Sequence, residues 1–142
     1  MKIAIASDHG GLNLKKYIYN YLIEKNIEVV DFGTNDFQSC DYPIYAKKVC
    51  EEILNNNFDR GILICSTGIG MSMCANRYKG IRAACVSDTY SAKMTRAHNN
   101  SNVLCFGEKV VGIGLAGDIV DIWLNTGFDG DRHQRRIDML DN

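Results

Sequence analysis

Gly61-Ile62-Leu63-Ile64-Cys65-Ser66-Thr67-Gly68-Ile69-Gly70-Met71-Ser72-Met73 reads as a strand that ends on a cysteine, turns through glycines and starts a helix. Ile62 to Cys65 are apolar without alternation, the pattern of a strand covered on both faces. Gly68 and Gly70 supply the turn. The Cys65 thiol then falls where backbone N–H groups and a helix N-terminus converge, a setting that binds anions and favours the thiolate.

The same grammar recurs on either side. Lys2 to Ala6, Glu28 to Phe32, Arg82 to Val86 and Asn102 to Phe106 are further short runs rich in Ile, Val, Ala and Cys. Between them lie amphipathic segments. Leu14, Tyr17, Ile18, Tyr21 and Leu22 keep helical spacing, as do Ala46, Val49, Cys50, Ile53 and Leu54, with Asp41 as the cap and Pro43 in the first turn. Helices are also expected at Ile69 to Arg77, Thr89 to His98, Lys109 to Leu124 and Asp131 to Leu140. Tyr17, Tyr21 and Trp123 fit the stripes as core residues. Strand and helix alternate throughout, so the expected fold is a three-layer α/β/α, Rossmann-like domain with a five-stranded parallel sheet, one domain over residues 1–142.

Composition narrows the chemistry. The 142 residues carry a formal net charge of −1, with 46% hydrophobic and 23% charged residues, so no global charge draws nucleic acid or an anionic membrane. No stretch reaches the roughly 18 apolar residues of a membrane span, and polar Ser7, Asp8 and His9 interrupt the first apolar run, so a cytoplasmic protein is expected. Cys40, Cys50, Cys65, Cys74, Cys85 and Cys105 form neither Cys-x-x-Cys pairs nor a ligand quartet. Reduced thiols, most of them core, are the expectation, with no metal centre.

In a parallel sheet the ligand site lies outside the carboxyl ends of the strands. Ser7-Asp8-His9-Gly10-Gly11 follows the first strand, the Ser66 to Gly70 turn the third, and Gly107-Glu108-Lys109 the fifth. These turns should share one edge. His98-Asn99 ends a helix just before the fifth strand and belongs at the opposite edge, so His98 could act there only on a neighbouring subunit. Arg132, Arg135 and Arg136 share a helix face suited to phosphate. The residues alone leave several roles open: Cys65 as nucleophile, ligand, base or core residue; Asp8-His9 as a plain turn; His98 as a helix cap; the arginines as a solvated face. Two motifs fail. Met73 stands where a dinucleotide fingerprint needs its third glycine or alanine, and Met71 where a cysteine phosphatase needs arginine.

Together these segments resemble the type B ribose-5-phosphate isomerase family, which includes allose-6-phosphate and galactose-6-phosphate isomerases. The likeness runs nearly end to end: Ser7 to Gly11, Asp41-Tyr42-Pro43, Gly61 to Ser72 with Asn76, Gly80 to Ala83, Tyr90 to Ala92, His98-Asn99 with Asn102-Val103, Phe106-Gly107 with Val110 to Gly112, and Arg132 to Gln134 with Arg136. The resemblance implies an aldose-ketose isomerase of the non-oxidative pentose phosphate pathway, free of cofactors, interconverting ribose 5-phosphate and ribulose 5-phosphate. Cys65 would be the general base between C2 and C1, with N–H groups from Thr67 to Ser72, including those of Gly68, Ile69 and Gly70, on the enediolate. His98 would open the sugar ring, assisted by Thr67 and Asp8. Asn99 would bind a hydroxyl or the enediolate. His9, Arg132 and Arg136 would hold phosphate, with Lys109 coming from the partner of a homodimer or dimer of dimers that shares its sites; Ser66 and Tyr42 would line the pocket.

Two departures from the family pattern stand out, Lys109 in place of the usual arginine and Ser66 in place of a common glycine. The competing readings are a six-carbon sugar-phosphate isomerase and a non-catalytic sugar-phosphate-binding subunit. A thiol phosphatase comes third.

Overall fold

The computed structural model describes residues 1–142. Five strands, β1 (Lys2–Ser7), β2 (Glu28–Asp31), β3 (Arg60–Cys65), β4 (Ala83–Cys85) and β5 (Val103–Gly107), form one parallel sheet in the order β2-β1-β3-β5-β4. Six helices alternate with them: α1 (Leu12–Glu24), α2 (Tyr42–Leu54), α3 (Ile69–Ala75), α4 (Thr89–Ala97), α5 (Ile113–Asn125) and α6 (Arg132–Asp138). A single 3₁₀ turn, His9–Gly11, joins β1 to α1.

The unbroken apolar runs have a direct cause. Ile3, Ile5, Ile62, Ile64, Leu104 and Phe106 enter one core with α1, α4 and α5. Their neighbours Ala4, Ala6, Leu63, Cys65, Val103 and Cys105 enter a second core with α2 and α3. Successive strand residues point to opposite faces, so a central strand between two helical layers must be apolar at every position. The second face is lined by smaller residues, and the helices come close: a Cβ on Gly61 would lie 2.6 Å from Val49 Cγ1. The edge strands β2 and β4 are the least buried.

Several expectations are corrected. The fifth helix starts at Ile113, not Lys109, because Gly107 O accepts both Val110 N and Val111 N in a tight turn and Gly112 is extended. Asp41 precedes α2 but its side chain makes no capping bond. Tyr17 is exposed, stacked on Tyr21 with ring centroids 6.1 Å apart, and the half-buried Tyr21 directs its hydroxyl to Asp121, while Trp123 is fully buried. All six cysteines are free thiols, but Cys85, on the edge strand β4, is exposed.

Candidate active site

The carboxyl edge of the sheet collects the turns after β1, β3 and β5. Two backbone hydrogen bonds tie the β5 turn to the cysteine turn: Glu108 N donates to Cys65 O at 2.9 Å and Lys109 N to Ser66 O at 3.1 Å. The close approach requires glycine. A Cβ on Gly107 would sit 2.4 Å from Ser66 O and from Thr67 Cα, and one on Gly68, at φ +82°, within 2.8 Å of the Phe106 backbone. Glu108 turns back to accept Leu14 N and Asn13 Nδ2, fixing the start of α1 to the same edge.

Inside this frame Cys65 Sγ, almost fully buried at the end of β3, accepts Gly68 N at 3.1 Å. Thr67 Oγ1 accepts Ile69 N at 3.2 Å, and Ser72 Oγ donates to Ile69 O. The N–H groups of Gly70 and Met71, in the first turn of α3, have no acceptor within the chain. Such orphan donors at a helix start face outward to whatever occupies the groove. Asp8 lies 7% exposed and accepts Gly10 N at 2.9 Å. Gly10 lies between Asp8 Oδ1 and Ser66, which a Cβ would meet at 3.3 Å and, through Ser66 Oγ, at 2.4 Å. His9 Nδ1 accepts Cys40 N at 3.2 Å, which leaves its other nitrogen free. The Tyr42 ring covers Gly70.

The other predicted residues lie elsewhere. His98 caps the end of α4, next to the start of β5. Cys65 pairs in register with Gly107 while Gly61 pairs with Val103, so the two ends stand roughly 13 Å apart along the strands at about 3.3 Å per residue. His98, Asn99 and Arg136 line a separate cavity of about 250 Å³. Arg132 begins α6 in the same neighbourhood. Lys109, which the resemblance gives to the site of a partner, sits in the turn after β5 at the Cys65 edge of its own chain, where the order of strand and turn places it.

One residue of the second cluster had no role in the sequence. His133 is buried and stacks on His98, with ring centroids 4.2 Å apart and planes 9° from parallel. Burial, His98, Arg132 and Arg136 push its pKa down, and Asp129 partly opposes them. His98, Asp129 and His133 have ligand atoms within 4.8 Å of one another. Nearly parallel stacked rings keep their nitrogen lone pairs in two separate planes that do not meet at one point, so the trio fits an imidazole stack beside a carboxylate better than a tetrahedral metal centre.

Thus one chain brings together Cys65, Ser66, Thr67, Gly68, Ile69, Gly70, Ser72, Asp8, His9, Tyr42 and Lys109, and separately His98, Asn99, Arg132 and Arg136.

The family model described as Ribose/Galactose Isomerase matches residues 3–140. The chain is 47% identical over 139 residues to ribose-5-phosphate isomerase B of Escherichia coli (strain K12), covering 98% of this chain and 93% of that protein. The Clostridium thermocellum ribose-5-phosphate isomerase B structure superposes with a TM-score of 0.98 at 50% identity, covering 99% of this chain and 95% of that one. A Mycoplasma genitalium ribose-5-phosphate isomerase B structure with bound ribulose-5-phosphate superposes with a TM-score of 0.93 at 46% identity, covering 98% and 93%.

Proposed function

Because the chain belongs to the ribose/galactose isomerase family, we propose that it interconverts ribose 5-phosphate and ribulose 5-phosphate through an enediolate, with Cys65 as general base. The isomerase class rests on family membership. The assignment of the base rests on one observation: a nearly buried thiol at the end of β3, with the Gly68 N–H on its sulfur and two unpaired N–H groups beyond it.

In the proposed reaction the Cys65 thiolate takes the C2 proton of the open-chain aldose and returns it to C1, while the O2 hydroxyl proton passes to O1. Negative charge develops on the sugar oxygens. The Gly70 and Met71 N–H groups are oriented before reaction, and donors of that kind are worth on the order of 3 kcal/mol each in a transition state. Asp8 and Thr67, beside the thiol, are suited to hold the hydroxyls. His9 is the phosphate ligand available at this edge, joined by Lys109.

Ring opening requires an acid-base pair, and His98 is roughly 13 Å too far along its own strands to provide it. We assign it, with Asn99, Arg132 and Arg136, to the site of a second copy, so that each site is built from two chains. Such an enzyme works in the pentose phosphate pathway of the cytoplasm.

The test is turnover of the purified chain in D₂O. Wild type should place solvent deuterium on C1 of ribulose 5-phosphate, and Cys65→Ala should lose turnover while still binding inorganic phosphate. Substantial turnover in Cys65→Ala would overturn the assignment. Running allose 6-phosphate beside ribose 5-phosphate decides the substrate length.

A further inference from the structure

Where β3, β4 and β5 begin, three arginines from separate elements line one cavity of about 450 Å³. Arg60 opens β3, Arg82 precedes β4 and Arg96 lies in the last turn of α4. Each guanidinium is held by main-chain carbonyls or an amide. Arg60 Nη1 donates to Trp123 O at 3.0 Å and to Leu124 O at 3.2 Å; Arg82 Nε donates to Asn100 O at 3.0 Å; Arg96 Nη1 donates to Asn100 Oδ1 at 2.9 Å and also to Ser101 O. These acceptors fix the forks without neutralising them.

No carboxylate lies within ion-pair distance of them, and Asp59, next along the chain, acts on Arg60 only through space. The ion pairs of the chain are Lys2–Glu28, Lys15–Asp31 and Lys25–Asp121, and none involves an arginine. Asp59 is the one acidic residue on the cavity wall, and its carboxylate accepts the backbone N–H of Lys2 at 2.6 Å. The Nη2 atoms of all three arginines have no protein acceptor, yet none is sealed from solvent. Arg96 is 6% exposed, and burial together with the charges of Arg60 and Arg82 pushes its pKa down to about 10. Three like charges are therefore held in proximity around one cavity by neutral partners, each with a donor left unused. A neutral or cationic ligand would leave that repulsion unrelieved, whereas an oxyanion satisfies both the charge and the donors.

We propose that this cavity is a second anion site, which binds the phosphate of a small phosphomonoester between Arg60, Arg82 and Arg96. Asn100 and Asn102 supply polar contacts, and Ile53 and Phe58 form an apolar wall for the body of the ligand. The site shares no lining residue with the cavity at His98, and it contains none of the residues assigned to the substrate phosphate. It therefore stands whether or not the isomerase mechanism holds. Ligand bound there stabilises the native chain by mass action.

The experiment is calorimetric titration of inorganic phosphate at low ionic strength into the full chain and into an Arg132→Ala/Arg136→Ala variant, whose substrate site is weakened. That variant should keep one binding event per chain. Adding Arg60→Gln to it should weaken the event roughly tenfold or more, the loss expected for one charge-assisted contact, while Arg60→Gln alone leaves isomerase turnover at the wild-type level. Arg60→Lys, which keeps the charge but not the fork, should retain part of the affinity and serves if the glutamine variant folds poorly. Absence of a phosphate event in the Arg132→Ala/Arg136→Ala variant at tens of millimolar would overturn the proposal. So would equal affinity with and without Arg60, or a thermal shift that chloride matches at the same ionic strength.

Discussion

The two polar ends of the sheet are built by different means. At the carboxyl end, the backbone makes the site: the turns after β3 and β5 are hydrogen-bonded to each other, and glycines at 68 and 107 occupy positions where a single Cβ would collide with the chain. At the amino end, side chains make it: His98 is held by the face of His133, and Arg132 and Arg136 are exposed on a short helix. A site that must stabilise charge on a reacting oxygen benefits from donors that cannot move. In the proposed two-chain site, exposed side chains such as Arg132 and Arg136 are the ones able to reach a neighbouring copy. The contrast sets a backbone-built end against a side-chain-built one, and the proposed two-chain site joins them.

The largest effect expected separates the ends outright. Cys65→Ala should lower kcat by about 10²–10⁴-fold, the range for loss of a general base. His98→Ala should hurt turnover of the cyclic aldose more than that of the open-chain ketose. Mixing the two variants should then restore roughly a quarter of wild-type activity on the cyclic aldose, since random pairing of a two-fold dimer leaves one intact site in half of the dimers. Failure of the mixture to recover activity after subunit exchange would break the two-chain site.

The next effect tests the backbone argument. Gly107→Ala should cost about 2 kcal/mol or more and lower kcat, because its Cβ meets Ser66 and Thr67 backbone, which cannot move without shifting the Cys65 turn. Gly114→Ala, with open space around its Cβ, is the control. Denaturant unfolding and kcat measured on both variants check it. Equal effects would show that the turn tolerates displacement.

pH sharpens the comparison from the side of stability. Burial pushes the Cys50 thiol up to about 12 and the Cys105 thiol well above its ordinary value. Above about pH 9 the unfolded chain releases these protons while the folded chain keeps them, so stability should fall as pH rises from about 9 toward 12. The slope should be shallower in Cys50→Ala. At the other end, His133 is held below the usual histidine value, so its contribution is present above about pH 6.5 and lost as pH falls. His133→Gln should flatten that acid limb in urea titrations across pH, with no change in the alkaline limb.

The smallest effect belongs to Lys109→Arg. It should improve KM for ribose 5-phosphate by a few-fold at most, because it restores a bidentate fork on an exposed turn whose charge is already present. A change in kcat would point to a role beyond phosphate affinity.

The parallel α/β fold was legible in the sequence because both-sided burial writes an unbroken apolar run, and the runs at residues 2–6, 61–65 and 102–106 are of that kind. The cysteine turn was legible as well, since strand, glycines and helix are contiguous. Tyr17 was misread because helical spacing records a face, and the edge of an apolar stripe can still lie in solvent. The start of α5 was misread because the turn at Val110 and Val111 depends on Gly107 O, which periodicity does not register.

The sequence by itself determined the layers, the alternation of strand and helix, and the segregation of His98 from Cys65, because local periodicity and the direction of parallel strands suffice for each. Only the tertiary structure decided the His98–His133 stack and the convergence of Arg60, Arg82 and Arg96. Those groupings join residues from separate elements, and their proximity arises from how helices settle on the sheet, which no spacing along the chain encodes.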